Sequence, residues 1–267
     1  MKKIIAVLLA AILLFSVSAA AVAEDGSLEY VMNNGRLILG LDDSFPPMGY
    51  RDENNDIVGF DIDLAAAVCA KLGIELVVQP IDWSSKELEL DSKNIDCIWN
   101  GMSITPARTE SMAMTFPYLN NQIAFYTRTD SDIKSTEDLV GKKVAVQGGS
   151  TADDLLANDF ADVSAAFAET LSYDEYLTAL MDLQQGGVDA VAIDVCVAEF
   201  KISGMGADDI KQAFVLADDN YGIGFRKDDI ALRDKIQEVL IELKKDGTVA
   251  GISEKWFGSD ITVIPAE

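Results

Sequence analysis

The 267-residue chain contains no histidine. Ser-His hydrolase chemistry is therefore excluded, and a transition-metal site loses its commonest ligand. Cysteine is scarce as well, limited to Cys69, Cys97 and Cys196. Their odd number leaves at least one without an intramolecular partner, and their apolar neighbours read as surroundings for small buried hydrophobes. No disulfide is expected, and the cysteine spacing matches no metal site. Positive charge is the third shortage: 21 Lys and Arg face 45 Asp and Glu, a net charge of −24. A chain so acidic lacks the basic footprint that nucleic-acid phosphates require. The surplus fits the solubility of an exported protein more simply than the steering of cationic ligands.

Long apolar runs are confined to the start. "MKKIIAVLLAAILLFSVSAAAVA" opens with Lys2 and Lys3, continues apolar from Ile4 to Phe15, and closes on the small residues Ala21 and Ala23. This is the pattern of a cleaved secretory signal over residues 1–23, too short in its apolar part for a membrane span of about 20 residues. The mature chain is expected to begin at Glu24, where 19 basic residues against 45 acidic leave a net of −26. No cysteine marks the cleavage point, so no lipid anchor is expected. The whole chain is 49% hydrophobic and long enough for one large domain or two ordinary ones.

Strand and helix patterns alternate through the rest. "RLILGLD" reads as a strand, "SFPPMGY" as a loop, and "IVGFDIDLAAAVCAKLG" as a short strand entering a helix that Gly73 ends. Leu64, Ala67, Val68 and Leu72 mark one face of that helix. "IELVVQPI" is a strand, "SSKELELDSKN" helical, and "IDCIWNGMS" a strand again. After "QIAFYTR" a second set begins: strand "KVAVQ", loop "GGS", helix "TADDLLANDFA", helix "YDEYLTALMDLQQGG" and strand "VDAVAID". "NIDCIWNG" and "GVDAVAID" echo each other at the ends of the two sets. The tail returns to helix in "ALRDKIQEVLIELKKDG", with Leu232, Ile236, Val239 and Leu243 on one face, followed by "ISEKWFG". Such alternation predicts α/β units on mostly parallel sheet, with any ligand beyond the carboxyl ends of the strands.

Polar residues gather at those ends. In "WNGMSITPAR", Thr105 caps a helix, Pro106 takes its first position, and Arg108 falls in the first turn, where the helix dipole disfavours a cation. It is either a residue on a solvated face or a planar fork aimed at a carboxylate. "VAVQGGSTADDLL" sets Ser150 and Thr151 at another helix start, which is either a plain capped helix or a cradle for a small carboxylate. The Walker-type Lys is missing. Asp194, ending an apolar strand, needs a partner: a local cap or a ligand ammonium. Asp42 stands at a strand end beside Phe45, and Trp83 follows another strand. Both aromatics are either core or cleft lining.

Taken together, "GLDDSFPPMGYRDENNDIVGFDIDLAAAVCAKLG", "IDCIWNGMSITPAR" with "MTFPY", "GKKVAVQGGST", "GVDAVAID" and "LKKDGTVAGISEKWFG" resemble, in order and over essentially the whole mature chain, the extracytoplasmic solute-binding proteins of polar amino acid ABC transporters. The resemblance implies an α/β, two-lobed periplasmic-binding-protein fold of type II, with a ligand cleft between lobes joined by two crossing strands. Lobe 1 would comprise residues 24–126 plus 220–267 and lobe 2 residues 127–219, with crossings near Phe125–Arg128 and Asp218–Gly222. It further implies that Arg108, Ser103, Ser150 and Thr151 hold the ligand's α-carboxylate. Asp194, with the Gly101 carbonyl and the Ser103 hydroxyl, would hold its α-ammonium. Asp42, Phe45, Trp83 and Asn100 would line the side-chain pocket, the placing of Trp83 allowing a shift of one residue. An acid beside two aromatics suits a guanidinium or ammonium tip, so a basic amino acid is expected ahead of amide or cystine ligands.

The expected protein is thus a monomeric, non-enzymatic periplasmic binder that needs no cofactor or metal and delivers an amino acid to a membrane ABC permease. One alternative is an enzyme on the same scaffold, of the cyclohexadienyl dehydratase kind, which needs a general acid in the cleft. The other is the supply of ligand to a separate receptor.

Overall fold

The computed structural model describes residues 25–266. The expected signal segment and the start at Glu24 lie outside the described residues. Among the described residues no helix is long and apolar enough to cross a membrane.

The first set of strands is built on β1 (Arg36–Leu41), flanked in parallel by β5 (Glu75–Pro80) and β6 (Cys97–Ser103). Between them come a small antiparallel sheet of β2 (Ser44–Phe45), β3 (Gly49–Arg51) and β4 (Ile57–Val58), then helix α2 (Phe60–Leu72), preceded in the chain by α1 (Ser27–Asn34). Gly73 closes α2 in a left-handed conformation (φ 73°), which glycine adopts without the steric cost of a Cβ. Short α3 (Lys86–Asp91) leads into β6, and α4 (Pro106–Ser111) follows it. Thr105 Oγ1 accepts the Arg108 N–H and Pro106 takes the first helical position, as the sequence predicts.

The second set repeats the plan. Strand β9 (Lys143–Gln147) lies between parallel β10 (Glu169–Tyr173) and β11 (Ala190–Asp194). Its helices are α5 (Thr151–Ala157), α6 (Ala161–Ser164), α7 (Tyr176–Gln185) and α8 (Val195–Met205). In both sets the first strand in sequence is central, the second is the edge, and the third meets an antiparallel return strand. The echo between "NIDCIWNG" and "GVDAVAID" therefore marks β6 and β11, which hold equivalent places.

Two long strands join the sets. β8 (Leu119–Arg128) and β12 (Ile210–Arg226) pair antiparallel from Ile210 opposite Arg128 to Tyr221 opposite Leu119. At one end β12 pairs with β6 and with β7 (Met112–Met114); at the other β8 pairs with β11 over Ile123–Tyr126. The result is one sheet of order β10-β9-β11-β8-β12-β6-β1-β5, with β7 off the path. The tail helices α9 (Ile230–Lys245) and α10 (Thr248–Phe257) pack back on the first set, burying the predicted stripe Leu232, Ile236, Val239 and Leu243.

Alternation along each strand makes the sheet two-faced. On β9, Val144 and Val146 enter one core and Ala145 the other; on β6, Cys97 and Trp99 face one side while Ile98 and Met102 face the opposite one with Trp83, Leu90 and Met114. Sheets covered on both faces carry near-continuous apolar strands, as "CIWNGM" and "AVAI" do until they reach their carboxyl ends. Those ends, from both sets, meet at one place. Cys69, Cys97 and Cys196 are free thiols, and burial pushes that of Cys69 up to about 12.

Candidate functional site

The carboxyl end of β6 breaks its own strand regularity. Gly101 adopts φ 56°, and a Cβ there would come within 2.7 Å of the Phe45 ring, so only glycine lets the strand turn under Phe45. The Gly101 N–H donates to Asp61 Oδ2 at 2.7 Å, and Tyr118 donates to the same oxygen at 2.9 Å. Burial holds the Asp61 carboxyl up at about 7 against those two bonds.

Past this turn Ser103 becomes a junction. Its hydroxyl donates to Asp219 Oδ2 at 2.7 Å and accepts from Thr151 Oγ1 at 2.7 Å. Its carbonyl accepts from Arg108 Nη1 at 3.1 Å, and the same Nη1 donates to Thr151 Oγ1 at 3.0 Å. The Arg108 side chain is only 5% exposed, which removes the solvated-face alternative. Its Nη2 lies buried, 3.5 Å from Asp154 Oδ2 but without a hydrogen bond. An unsatisfied buried donor of this kind is costly to leave unpaired.

On the other side of Ser103 stands an acidic pair. Asn121 Nδ2 donates to Asp194 Oδ1 at 2.8 Å and to Asp219 Oδ2 at 3.0 Å, and Tyr221 donates to Asp194 Oδ1 at 2.8 Å. Both carboxyls are buried. Burial first, and the neighbouring Asp219 second, push the Asp194 carboxyl up to about 7. Asp194 is the residue before α8, but its side chain makes no capping bond to that helix. The local-cap alternative therefore gives way to a tertiary network.

A third cluster surrounds Asp42, buried at the carboxyl end of β1. Its Oδ1 accepts from the N–H and hydroxyl of Ser44, both at 2.8 Å, and its Oδ2 accepts from Gln147 Nε2 at 2.7 Å. Asn100 Oδ1 accepts the Asp42 N–H at 3.1 Å, while Asn100 Nδ2 is buried without a partner. Phe45 packs against Tyr176 with ring centroids 6.2 Å apart.

The ten predicted residues lie around the place where the strand ends of the two sets meet, with differing surroundings. Ser150 spends its oxygen as the cap of α5, accepting the Asp153 N–H, and leaves only its O–H proton free to donate. Trp83 is 9% exposed and packs mainly into the core with Leu90, Ile98 and Met102. Above its ring sits Lys86, whose Nζ is 5.1 Å from the centroid and donates to Gly149 O at 2.9 Å. Sequence reasoning missed Lys86, Asn121, Gln147, Lys201, Asp219 and Tyr221. Gln147 shared the strand-end position that flagged Asp42 and Asp194, and Asp219 was one of two acids in a crossing strand. Lys201, a lone cation in the apolar "VCVAEFKISGM", gave the faintest signal.

Five hydrogen bonds in these clusters run between segments of the first and second sets: Gln147 to Asp42, Arg108 to Thr151, Thr151 to Ser103, Lys86 to Gly149, and Lys201 to Ser44. Among the described residues no group of three His, Cys, Asp or Glu is placed to hold a metal ion. The arrangement offers instead a cationic fork and an acidic pair sharing one serine.

The model of the bacterial extracellular solute-binding proteins, family 3, matches residues 37–259. The chain belongs to this family. Among the relatives of this solute-binding protein is the ABC transporter arginine-binding protein 1 of Escherichia coli (strain K12), 30% identical over 96% of this chain and 99% of that one. Another is the L-cystine-binding protein TcyJ of the same strain, 28% identical over 95% of this chain and 94% of that one. A solved structure of an ABC uptake transporter substrate-binding protein from Streptococcus pneumoniae with bound histidine superposes with a TM-score of 0.85. It is 35% identical, and the match covers 90% of this chain and 98% of that one. The solute-binding protein described above accordingly has the two-lobed type II fold.

Proposed function

We propose that this chain captures a polar L-amino acid outside the cytoplasm and hands it to a membrane ABC importer. The lobes expected over 24–126 plus 220–267 and over 127–219 meet in strands β8 and β12. The pairing of β8 with β11 from Ile123 and of β12 with β6 at Tyr221 supports crossings nearer Asn120–Gln122 and Asp218–Asn220. The observation that carries the reading is the Ser103 junction. Arg108, Ser103 and Thr151 receive the α-carboxylate, the open Arg108 Nη2 supplying the second arm of a bidentate grip. Asp194 and Asp219 receive the α-ammonium, whose charge offsets two buried carboxyls joined through one Asn121 amide.

Because Arg108 and Ser103 belong to lobe 1 while Thr151 and Asp194 belong to lobe 2, a bound head group draws the two together. The closed arrangement makes contacts that separated lobes lack, so ligand binding favours closure. This role is binding without turnover, by an exported monomer. An Asp194 carboxyl near 7 is also what a dehydratase would need as general acid. Turnover of prephenate or arogenate by the purified protein would establish that reading instead.

A thermal-shift screen tests the proposal. The chain from Glu24, partly unfolded and dialysed to remove carried-over ligand, is heated with each of the twenty amino acids, ornithine and cystine. A ligand that binds only the folded state raises the melting temperature, and at least one L-amino acid is expected to do so. No shift with any of them would overturn the amino-acid reading.

A further inference from the structure

Lys201 is a buried cation that the head-group site does not use. It lies two turns into α8, in lobe 2, and is only 7% exposed. Its Nζ donates to the Ser44 carbonyl at 2.7 Å across the cleft, and Ser44 in turn is bound to Asp42 through both its N–H and its hydroxyl. Burial lowers the proton affinity of Lys201, while Asp42 and the exposed Glu175 raise it again, Asp42 more strongly. Lys201 and Asp42 are thus linked through Ser44 rather than by a direct ion pair, and each charge partly offsets the other's desolvation.

The consequence concerns the ligand's side chain. Read from sequence, Asp42 is an uncompensated acid waiting for a guanidinium. In the fold it faces Gln147 Nε2 on one oxygen, Ser44 on the other, and the Lys201 charge nearby. The buried polar group left without a partner beside Asp42 is a dipole, the Asn100 Nδ2. A second cation entering here would meet Lys201 at short range with little solvent screening.

We propose that Lys201 determines side-chain selectivity by neutralising Asp42, so that the site prefers uncharged polar side chains to guanidinium or ammonium ones. This deepens the amino-acid-binding reading and rests on it. It also reverses the basic preference expected from Asp42 alone.

Isothermal titration of the chain from Glu24 with L-glutamine, L-histidine, L-cystine, L-arginine, L-lysine and L-glutamate tests it. The wild type should bind at least one of the first three more tightly than arginine or lysine. Lys201→Met should shift the ratio of that neutral ligand's affinity to arginine's toward arginine by about tenfold or more, while Lys201→Arg holds it. Asp42→Asn should shift the glutamine-to-glutamate ratio toward glutamate by about tenfold, an independent reading should Lys201→Met fail to fold. A wild type preferring arginine or lysine, or ratios unmoved in folded Lys201→Met or Asp42→Asn, would overturn the role of Lys201 while leaving amino-acid binding intact. A wild type that binds no amino acid overturns both.

Discussion

The two ends of the cleft treat charge in opposite ways. Around Ser103, charges are left partly open: Arg108 Nη2 lacks a hydrogen bond and has only the exposed Asp154 at 3.5 Å, and Asp194 and Asp219 share one amide donor with no ion-pair partner among the described residues. Around Asp42 the polar groups are closed on one another: Ser44 and Gln147 bond to its carboxylate, and Lys201 bonds to the Ser44 carbonyl beside it. Open charges cost folding free energy and yield it back on binding, which is how a site obtains affinity for a constant feature such as an amino acid head group. Closed charges cost less and discriminate by shape and dipole instead, the requirement where side chains differ. Affinity and selectivity are thus separated along one cleft.

The largest break in that contrast should come from Arg108→Ala. Losing the cationic fork removes a charge-assisted contact at the open end and is expected to weaken amino-acid binding by about 2–5 kcal/mol, measured by calorimetry. Stability without ligand should fall as well, by about 1–3 kcal/mol, because the buried Arg108 bonds to Ser103 O and Thr151 Oγ1 and lies 3.5 Å from Asp154 Oδ2, so the affinity is compared on folded protein. Undiminished affinity would remove the head-group assignment. Asp194→Asn comes next: the ammonium loses its charge partner while Tyr221 and Asn121 keep an oxygen to bond, and a loss of about 1.5–3 kcal/mol is expected. A loss equal for an amino acid and for its α-hydroxy analogue would show that Asp194 does not meet the ammonium.

Gly101→Ala strikes between the two ends. The added methyl meets the Phe45 ring at 2.7 Å and forces a left-handed φ on alanine, so about 1–3 kcal/mol of stability should be lost in denaturant unfolding. Binding should fall as well, because Gly101 sits between Asn100 of the closed end and Ser103 of the open end.

Much of this was legible in the sequence because the signals were local. Caps, helix-ending glycine, the tail-helix stripe and the polar residues closing β1, β6 and β11 follow from patterns a few residues long. The echo of β6 in β11 even anticipated the duplicated topology. Edge strand β10 escaped, since "ETLSY" is polar and half exposed and carries no apolar alternation. Asp219, the acidic partner of Asp194, escaped for a different reason: it lies 98 residues from Asn121, and the two meet only because β8 and β12 pair at that register. Asp42 was found but its surroundings were not, because Gln147, which donates to it, and Lys201, which reaches the Ser44 carbonyl beside it, come from the second set of elements. Position at a strand end is a one-dimensional fact, whereas charge balance is a three-dimensional one.

The smallest effect, and the most direct reading of the open end, is its dependence on pH. In the ligand-free fold the Asp194 carboxyl titrates at about 7 against an ordinary 3.8, and an ammonium beside it favours the ionised form. Binding therefore expels a proton, and affinity should rise by about tenfold from pH 6 to pH 8, or about 1.4 kcal/mol. Stability of the empty protein runs the other way. The raised carboxyl stabilises the fold fully below pH 3.8, and that contribution is lost as pH climbs through about 7, so the ligand-free melting temperature should drift downward over this window. Asp61, held up at about 7 by burial beneath Gly101, adds to the same drift. Asp194→Asn separates the two, since it should flatten the binding profile while Asp61 continues to lower stability with rising pH. A wild-type affinity independent of pH between 6 and 8 would mean that the ammonium is held elsewhere, and that the open acidic pair serves the crossing strands rather than the ligand.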